Sequence, residues 1–217
     1  MNVSLPLRSI VPTVDAPVLA VLAGTTRPLT GRRVATLAGA SHGAVNAVLA
    51  RLVRAGIVDA EQQSNATLYV ANRDHLAWPG VQILADLRRA TLTLLREELR
   101  SWPIPPLTAI TFGSFARQDG DDSSDIDILV VQDPTTQVGS NPQTGEQWLA
   151  QTEQLHARVK RATGNDCQVL DLTVERLADH LRIDDPLVQN WRSDGLHLAG
   201  QPLRAALVHA QTLVGAR

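Results

Sequence analysis

The chain has 217 residues, enough for one large domain or two small ones. Apolar residues make up 44% but aromatics only 3%, so a core must be filled by Leu, Val and Ala, and the single cysteine, Cys167, excludes a disulfide framework or a thiolate metal site. The formal net charge of −2 gives no global pull toward nucleic acid, so any basic surface must be local.

Residues 15–73 read as a small helical unit closed by a hairpin. Ala16 to Ala23 is an apolar helix ended by Gly24 and the Arg27-Pro28 break. Thr30 can cap a second helix over Gly31 to Leu37, which Gly39 stops. Ser41 can cap a third, in which Val45, Val48, Leu49, Leu52 and Val53 recur at helical spacing. Gly56 ends it, Ile57-Val58 opens a strand, Glu61 to Asn65 forms a polar tip, and Thr67 to Val70 returns as the second strand. Trp78-Pro79-Gly80 then opens one long helix running to about Trp102, where Pro103, Pro105 and Pro106 end it. Its stripe of Leu84, Leu87, Thr91, Leu94, Leu95 and Leu99 suits packing within the chain; pairing in a homodimer is the other use of such a stripe.

From Leu107 strands alternate with helices. Thr108 to Phe112 reads as a buried strand, Gly113 to Arg117 as a short helix, and Asp125 to Val131 as a second strand. Asp133 to Gly145 is expected as loop, Gln147 to Thr163 as helix and Cys167 to Thr173 as a third strand, with two or three helices to follow, the last opening at Pro202. No charged-then-apolar leader and no apolar run of membrane-spanning length occurs, so the expected location is cytoplasmic, without a membrane partner.

The chemistry concentrates in Gly113-Ser114 and, ten residues after Ser114, Asp125-Ile126-Asp127. Residues two apart on a strand share a face, so both carboxylates converge while Ile126, Ile128 and Val130 turn into a core. Side-by-side carboxylates repel unless a cation lies between them, and oxygen-only ligation suits Mg²⁺ or Mn²⁺. The Gly-Ser turn offers backbone amides and a hydroxyl to phosphate oxygens, with Arg117 placed to pair with phosphate. Asp119, Asp121 and Asp122 read as a solvated loop, and the six scattered histidines show no ligand spacing.

Gly-Ser, the spacer, Asp-x-Asp and a later apolar-Asp-apolar strand resemble the DNA polymerase β-like nucleotidyltransferases, most closely their minimal bacterial branch. The resemblance covers residues 107–217, and Asp194 to Gly200 looks like the turn before the last helix in such proteins. It implies two Mg²⁺ ions on Asp125 and Asp127, with Asp171 (preferred to Asp166) completing the metal that activates the attacking hydroxyl. The N-terminal elements resemble a winged helix-turn-helix. That likeness implies contact with DNA through residues 30–70, by Ser41, His42, Asn46 and Arg51 toward base edges and Arg32 and Arg33 toward phosphates. The wing tip carries no Lys or Arg, a departure from strongly DNA-binding wings.

The expected fold is therefore two domains: a mainly α winged helix-turn-helix over 1–73, a connecting helix over 74–105, and an α/β nucleotidyltransferase fold with a mixed sheet flanked by helices over 106–217. The expected activity is Mg²⁺-dependent transfer of a nucleoside monophosphate from a nucleoside triphosphate, such as ATP, to a hydroxyl. The alternative is a DNA-binding regulator or antitoxin whose nucleotidyltransferase fold senses nucleotide without catalysis. A toxin or antitoxin partner fits either.

Overall fold

The computed structural model describes residues 1–136, 138, 139 and 141–215. It divides into two compact units, one made of Asn2 and Ser4–Arg89, the other of Met1, Val3 and Ala90–Arg217.

The N-terminal unit is three helices and a small antiparallel sheet. Helix α1 (Asp15–Ala23) is followed by a two-residue strand β1 (Leu29–Thr30), then α2 (Gly31–Ala38), α3 (His42–Arg54) and the hairpin β2 (Val58–Gln63) and β3 (Ala66–Ala71). The caps fall where the sequence places them. Thr30 accepts a hydrogen bond from the Arg33 backbone and Ser41 from that of Ala44, each closing an orphan donor of a first helical turn. Gly39 leaves α2 at φ 61°, a left-handed conformation in which glycine meets no Cβ penalty. Strand β3 is central, in the order β1-β3-β2, and β1 is an addition that the sequence pattern does not announce. Val18, Leu22, Val34, Val45, Leu49, Leu52 and Val58 form the core.

The expected single helix from Trp78 is two, α4 (Trp78–Ala85) and α5 (Leu87–Arg100). They part at Asp86, whose backbone leaves helical geometry (φ −86°, ψ 2°). Its carboxylate accepts from Arg89 Nη2 at 2.7 Å, a local side-chain bond of the kind that competes with helix continuation.

The C-terminal unit is built on a four-stranded mixed sheet in the order β6-β5-β4-β7. Strand β4 (Thr108–Phe112) leads into helix α6 (Gly113–Arg117), and β5 (Ile126–Val131) runs antiparallel to it. Helix α7 (Pro142–Thr163) crosses over to β6 (Cys167–Leu172), which lies parallel to β5. Helices α8 (Val174–Arg182) and α9 (Pro186–Asp194), strand β7 (Leu196–Gly200) and helix α10 (Leu203–Gly215) complete the unit.

Two expectations need correction. Helix α7 begins five residues earlier than the alternation suggests, because Asn141 caps it through the Gln143 amide and Pro142 occupies its first turn. Of the loop expected over 133–145, residues 137 and 140 lie outside those described. The Asp194–Gly200 segment is largely a strand, not a turn: β7 pairs antiparallel with β4 and buries Leu198 and Ala199.

The sheet is covered on both faces, which accounts for its near-continuous apolar strands. Ile126, Ile128 and Val130 pack with Leu95 and Leu99 of α5 and Trp148, Leu155 and Val159 of α7. On the other face, Ile110, Leu129, Val131 and Leu172 pack with Leu177 of α8, Trp191 of α9 and Leu207 of α10. Among the described residues no helix is long and apolar enough to cross a membrane.

Candidate active site

The pairing of β4 with β5 sets Phe112 opposite Asp127, so the turn after β4 stands beside the head of β5. Gly113 makes that turn at φ 70°, and a side-chain carbon there would overlap the Asp127 carboxylate. Two separate demands, a left-handed backbone and absence of Cβ, thus fall on one residue. Thr111 Oγ1 donates to the Asp127 carbonyl at 2.9 Å, fixing the strand under the site. Gly120 lets the intervening loop close on Ser114: a Cβ there would sit 2.8 Å from that of Ser114 and 2.6 Å from Ser124 Oγ. Asn165, buried, donates to the Ser124 carbonyl at 2.9 Å and so anchors the approach to Asp125.

Asp125 and Asp127 are both half-buried at this corner, together with Gly113 and Ser114. Burial pushes the Asp127 carboxyl above its ordinary range, the neighbouring Asp125 charge adds to the shift, and the Arg117 charge opposes it. Two crowded carboxylates facing a glycine turn form an oxygen donor set suited to a hard divalent cation, whose charge would relieve their repulsion. The residues present fit one such ion. Burial, then Asp127 and Asp125, push the Cys167 thiol up to about 12, and its side chain packs in the core with Ile126.

Arg117 reaches the same corner but is engaged. Its Nε donates to Asp119 at 2.8 Å and its Nη1 to Asp194 at 2.9 Å, and those bonds, Asp119 first, raise its pKa further. In this arrangement it ties α6 to the end of α9.

Asp171 is the main departure from expectation. In the parallel pair β5–β6, Asp127 stands opposite Gln168 and Asp171 opposite Val130. Parity then places Gln168 on the Asp127 face and Asp171 on the reverse face, with Val130 and Val169. There the Asp171 carboxylate accepts from Trp148 Nε1 at 2.8 Å and from Gln132 Nε2 at 3.0 Å. It is a structural acceptor beneath α7, not a third ligand. The β6 residue opposite Asp127 is Gln168, whose Nε2 donates a long hydrogen bond (3.4 Å) to Asp125 Oδ2. Asp166, the rejected candidate, pairs with Lys160 at 2.8 Å. Among the described residues no three of His, Cys, Asp and Glu gather as a metal-binding group. Gln168 was legible only to someone who knew the strand register, since a shift of one residue exchanges the faces.

In the N-terminal unit, Arg32, His42 and Asn46 line one cleft of about 480 Å³ with Asn65, Thr67 and Tyr69 of the hairpin. His42 and Asn46 contact each other one turn apart at 3.4 Å. Arg33 is exposed on α2. Ser41 serves as the α3 cap, and the Arg51 guanidinium is paired with Asp15 of α1. The expected set is therefore partly gathered: Arg32, His42 and Asn46 share a surface, while Ser41 and Arg51 already have structural partners.

The C-terminal unit is an α/β unit whose mixed sheet carries a glycine turn against paired aspartates. Residues 92–177 match the nucleotidyltransferase domain family, and the matched span holds Gly113, Ser114, Asp125 and Asp127. The C-terminal unit thus carries a nucleotidyltransferase domain. Human N-acetylserotonin methyltransferase in complex with SAM aligns over 46% of this chain and 31% of its own, at 18% identity and a TM-score of 0.28. The chain therefore spans about a third of that protein. A mutant of the toxin–antitoxin MntA-HpeT aligns over 59% of this chain and 87% of its own, at 19% identity and a TM-score of 0.35. Likeness at that level carries no functional argument. No curated protein matches the chain.

Proposed function

We propose that the C-terminal unit transfers a nucleoside monophosphate from a nucleoside triphosphate to a hydroxyl acceptor. The observation that carries the reading is the contact between Gly113 and the Asp127 carboxylate, with Asp125 two residues away, inside the span matching nucleotidyltransferase domains. A divalent cation, Mg²⁺ or Mn²⁺, bound by Asp125 and Asp127 would neutralise triphosphate charge there. Gly113 lets the backbone approach phosphate oxygens closely, and Ser114 supplies a hydroxyl donor beside it. The Thr111 and Asn165 hydrogen bonds hold the strand carrying the aspartates, so that the α-phosphorus can be met in a fixed orientation. In the transfer the acceptor oxygen bonds to the α-phosphorus, and the bond from that phosphorus to the bridging oxygen breaks. Pyrophosphate leaves with the electron pair, and the acceptor's proton passes to water.

We propose further that the N-terminal unit is a winged helix that binds DNA, with α3 entering the major groove. Its element order, the exposed His42 and Asn46 on α3, and Arg32 in the same cleft support this. The acidic overall charge and the Arg51–Asp15 pair leave few cations for phosphates, which predicts modest affinity with a shallow salt dependence.

Gln168 in place of a third carboxylate favours a second reading, a DNA-binding regulator that senses nucleotide without transferring it. Incubation with each α-³²P-labelled nucleoside triphosphate and Mg²⁺, with the protein itself, RNA and cell lysate as acceptors, separates the two. Label transferred to an acceptor supports the enzyme. Nucleotide-dependent DNA binding with no transfer to any of them supports the sensor.

A further inference from the structure

Gln168 occupies the place from which a third ligand would reach the paired aspartates. Strand β6 sets it directly opposite Asp127, on the same face of the sheet, and its carboxamide reaches Asp125 Oδ2 at 3.4 Å. A carboxamide is neutral, so its Oε1 is a weaker ligand for a divalent cation than a carboxylate oxygen, and the Nε2 hydrogens it turns toward Asp125 repel a cation there. Two divalent ions held about 3.5–4 Å apart require bridging and terminal anions to offset their mutual repulsion. Among the described residues the protein gathers no third His, Cys, Asp or Glu at this corner. The one carboxylate on β6, Asp171, lies on the reverse face, held by Trp148 and Gln132.

We propose that Gln168 makes this a one-cation site, in which Asp125 and Asp127 hold only the ion that arrives with the nucleotide. The carboxamide then has a positioning role: by donating to Asp125 it restrains that carboxylate beside Asp127. The second ion, the one that would acidify an acceptor hydroxyl, has no protein-held place. The inference rests on the nucleotide site proposed above and adds the number of ions and the residue that sets it.

The test counts Mn²⁺ by electron paramagnetic resonance on the full chain with a saturating α,β-non-hydrolysable nucleoside triphosphate analogue. Three proteins are compared: the natural sequence, Gln168→Asp and Gln168→Ala. Because position 168 is exposed, these substitutions leave the core intact. The natural chain and Gln168→Ala are expected to hold about one Mn²⁺ each and Gln168→Asp about two, with spin–spin coupling between the ions in the last. Transfer activity is expected to rise in Gln168→Asp by roughly tenfold or more, as a restored two-ion clamp would give. Two coupled ions in the natural chain, or a single ion in Gln168→Asp, would overturn the inference while leaving the nucleotide site standing. No bound Mn²⁺–nucleotide in any of the three would overturn both.

Discussion

Asp127 and Asp171 occupy the same kind of sequence, a carboxylate between apolar neighbours on a strand of one sheet, yet they do opposite work. Asp127 opens onto a glycine turn and a second carboxylate, and its ionisation is hindered by burial and by Asp125. Asp171 turns to the other face, where an indole N–H and a carboxamide N–H satisfy it. The first is an incomplete donor set that a cation would complete, and the second is already complete. Strand parity, not residue type, separates the open carboxylate from the satisfied one.

The comparison can be broken by substitution. The largest effect is expected at the open site. Asp125→Ala with Asp127→Ala should lower nucleotidyl transfer by roughly 100- to 1,000-fold, the loss of several kcal/mol of charge stabilisation, with an unchanged far-ultraviolet circular dichroism spectrum. At the closed site the expected change is in stability. Asp171→Ala leaves Trp148 Nε1 and Gln132 Nε2 without their acceptor, and urea titration should show a loss of about 1–3 kcal/mol. Gly113→Ala joins the two effects. The left-handed backbone costs an alanine about 1–2 kcal/mol, and its methyl displaces the Asp127 carboxylate, so both stability and nucleotide affinity should fall. Calorimetric binding at unchanged affinity would show that the close approach is unnecessary.

The smallest effect distinguishes the electrostatics. With its pKa raised in the folded state, Asp127 binds its proton more tightly there than in the unfolded chain. Its charged form therefore weakens the metal-free fold at neutral pH, and protonation removes that penalty as pH falls through the raised value. Asp127→Asn should accordingly melt above the natural protein at pH 7 in chelator. The gap should close as pH drops into the carboxylate range. A variant that melts lower at pH 7 would mean that Asp127 is as well satisfied as Asp171.

Much of this was legible in the sequence, and the failures have distinct physical causes. Thr30, Ser41 and Gly39 bound α2 and α3 through local rules, because a cap needs only its own turn. The Gly113 turn and the shared face of Asp125 and Asp127 follow from spacing within one strand. Asp171 against Gln168 depends on parity relative to another strand, which a single sequence leaves open by one residue. The break at Asp86 and the early start of α7 turn on local bonds, from Arg89 to Asp86 and from Gln143 to Asn141, that helical periodicity ignores. Strand β7 is short, and its pairing with β4 has to cross a bulge between Ala109 and Ile110.

The most direct test is the rise in melting temperature on adding Mg²⁺ with a nucleoside triphosphate to the natural protein, to Asp125→Ala with Asp127→Ala, and to Asp171→Ala. At about 100 times the dissociation constant, binding should add about 2.7 kcal/mol to the natural protein. The same increment should appear on the lower baseline of Asp171→Ala and be absent from the double variant. A full increment in the double variant, or its loss in a folded Asp171→Ala, would contradict the assignment of the open and closed carboxylates.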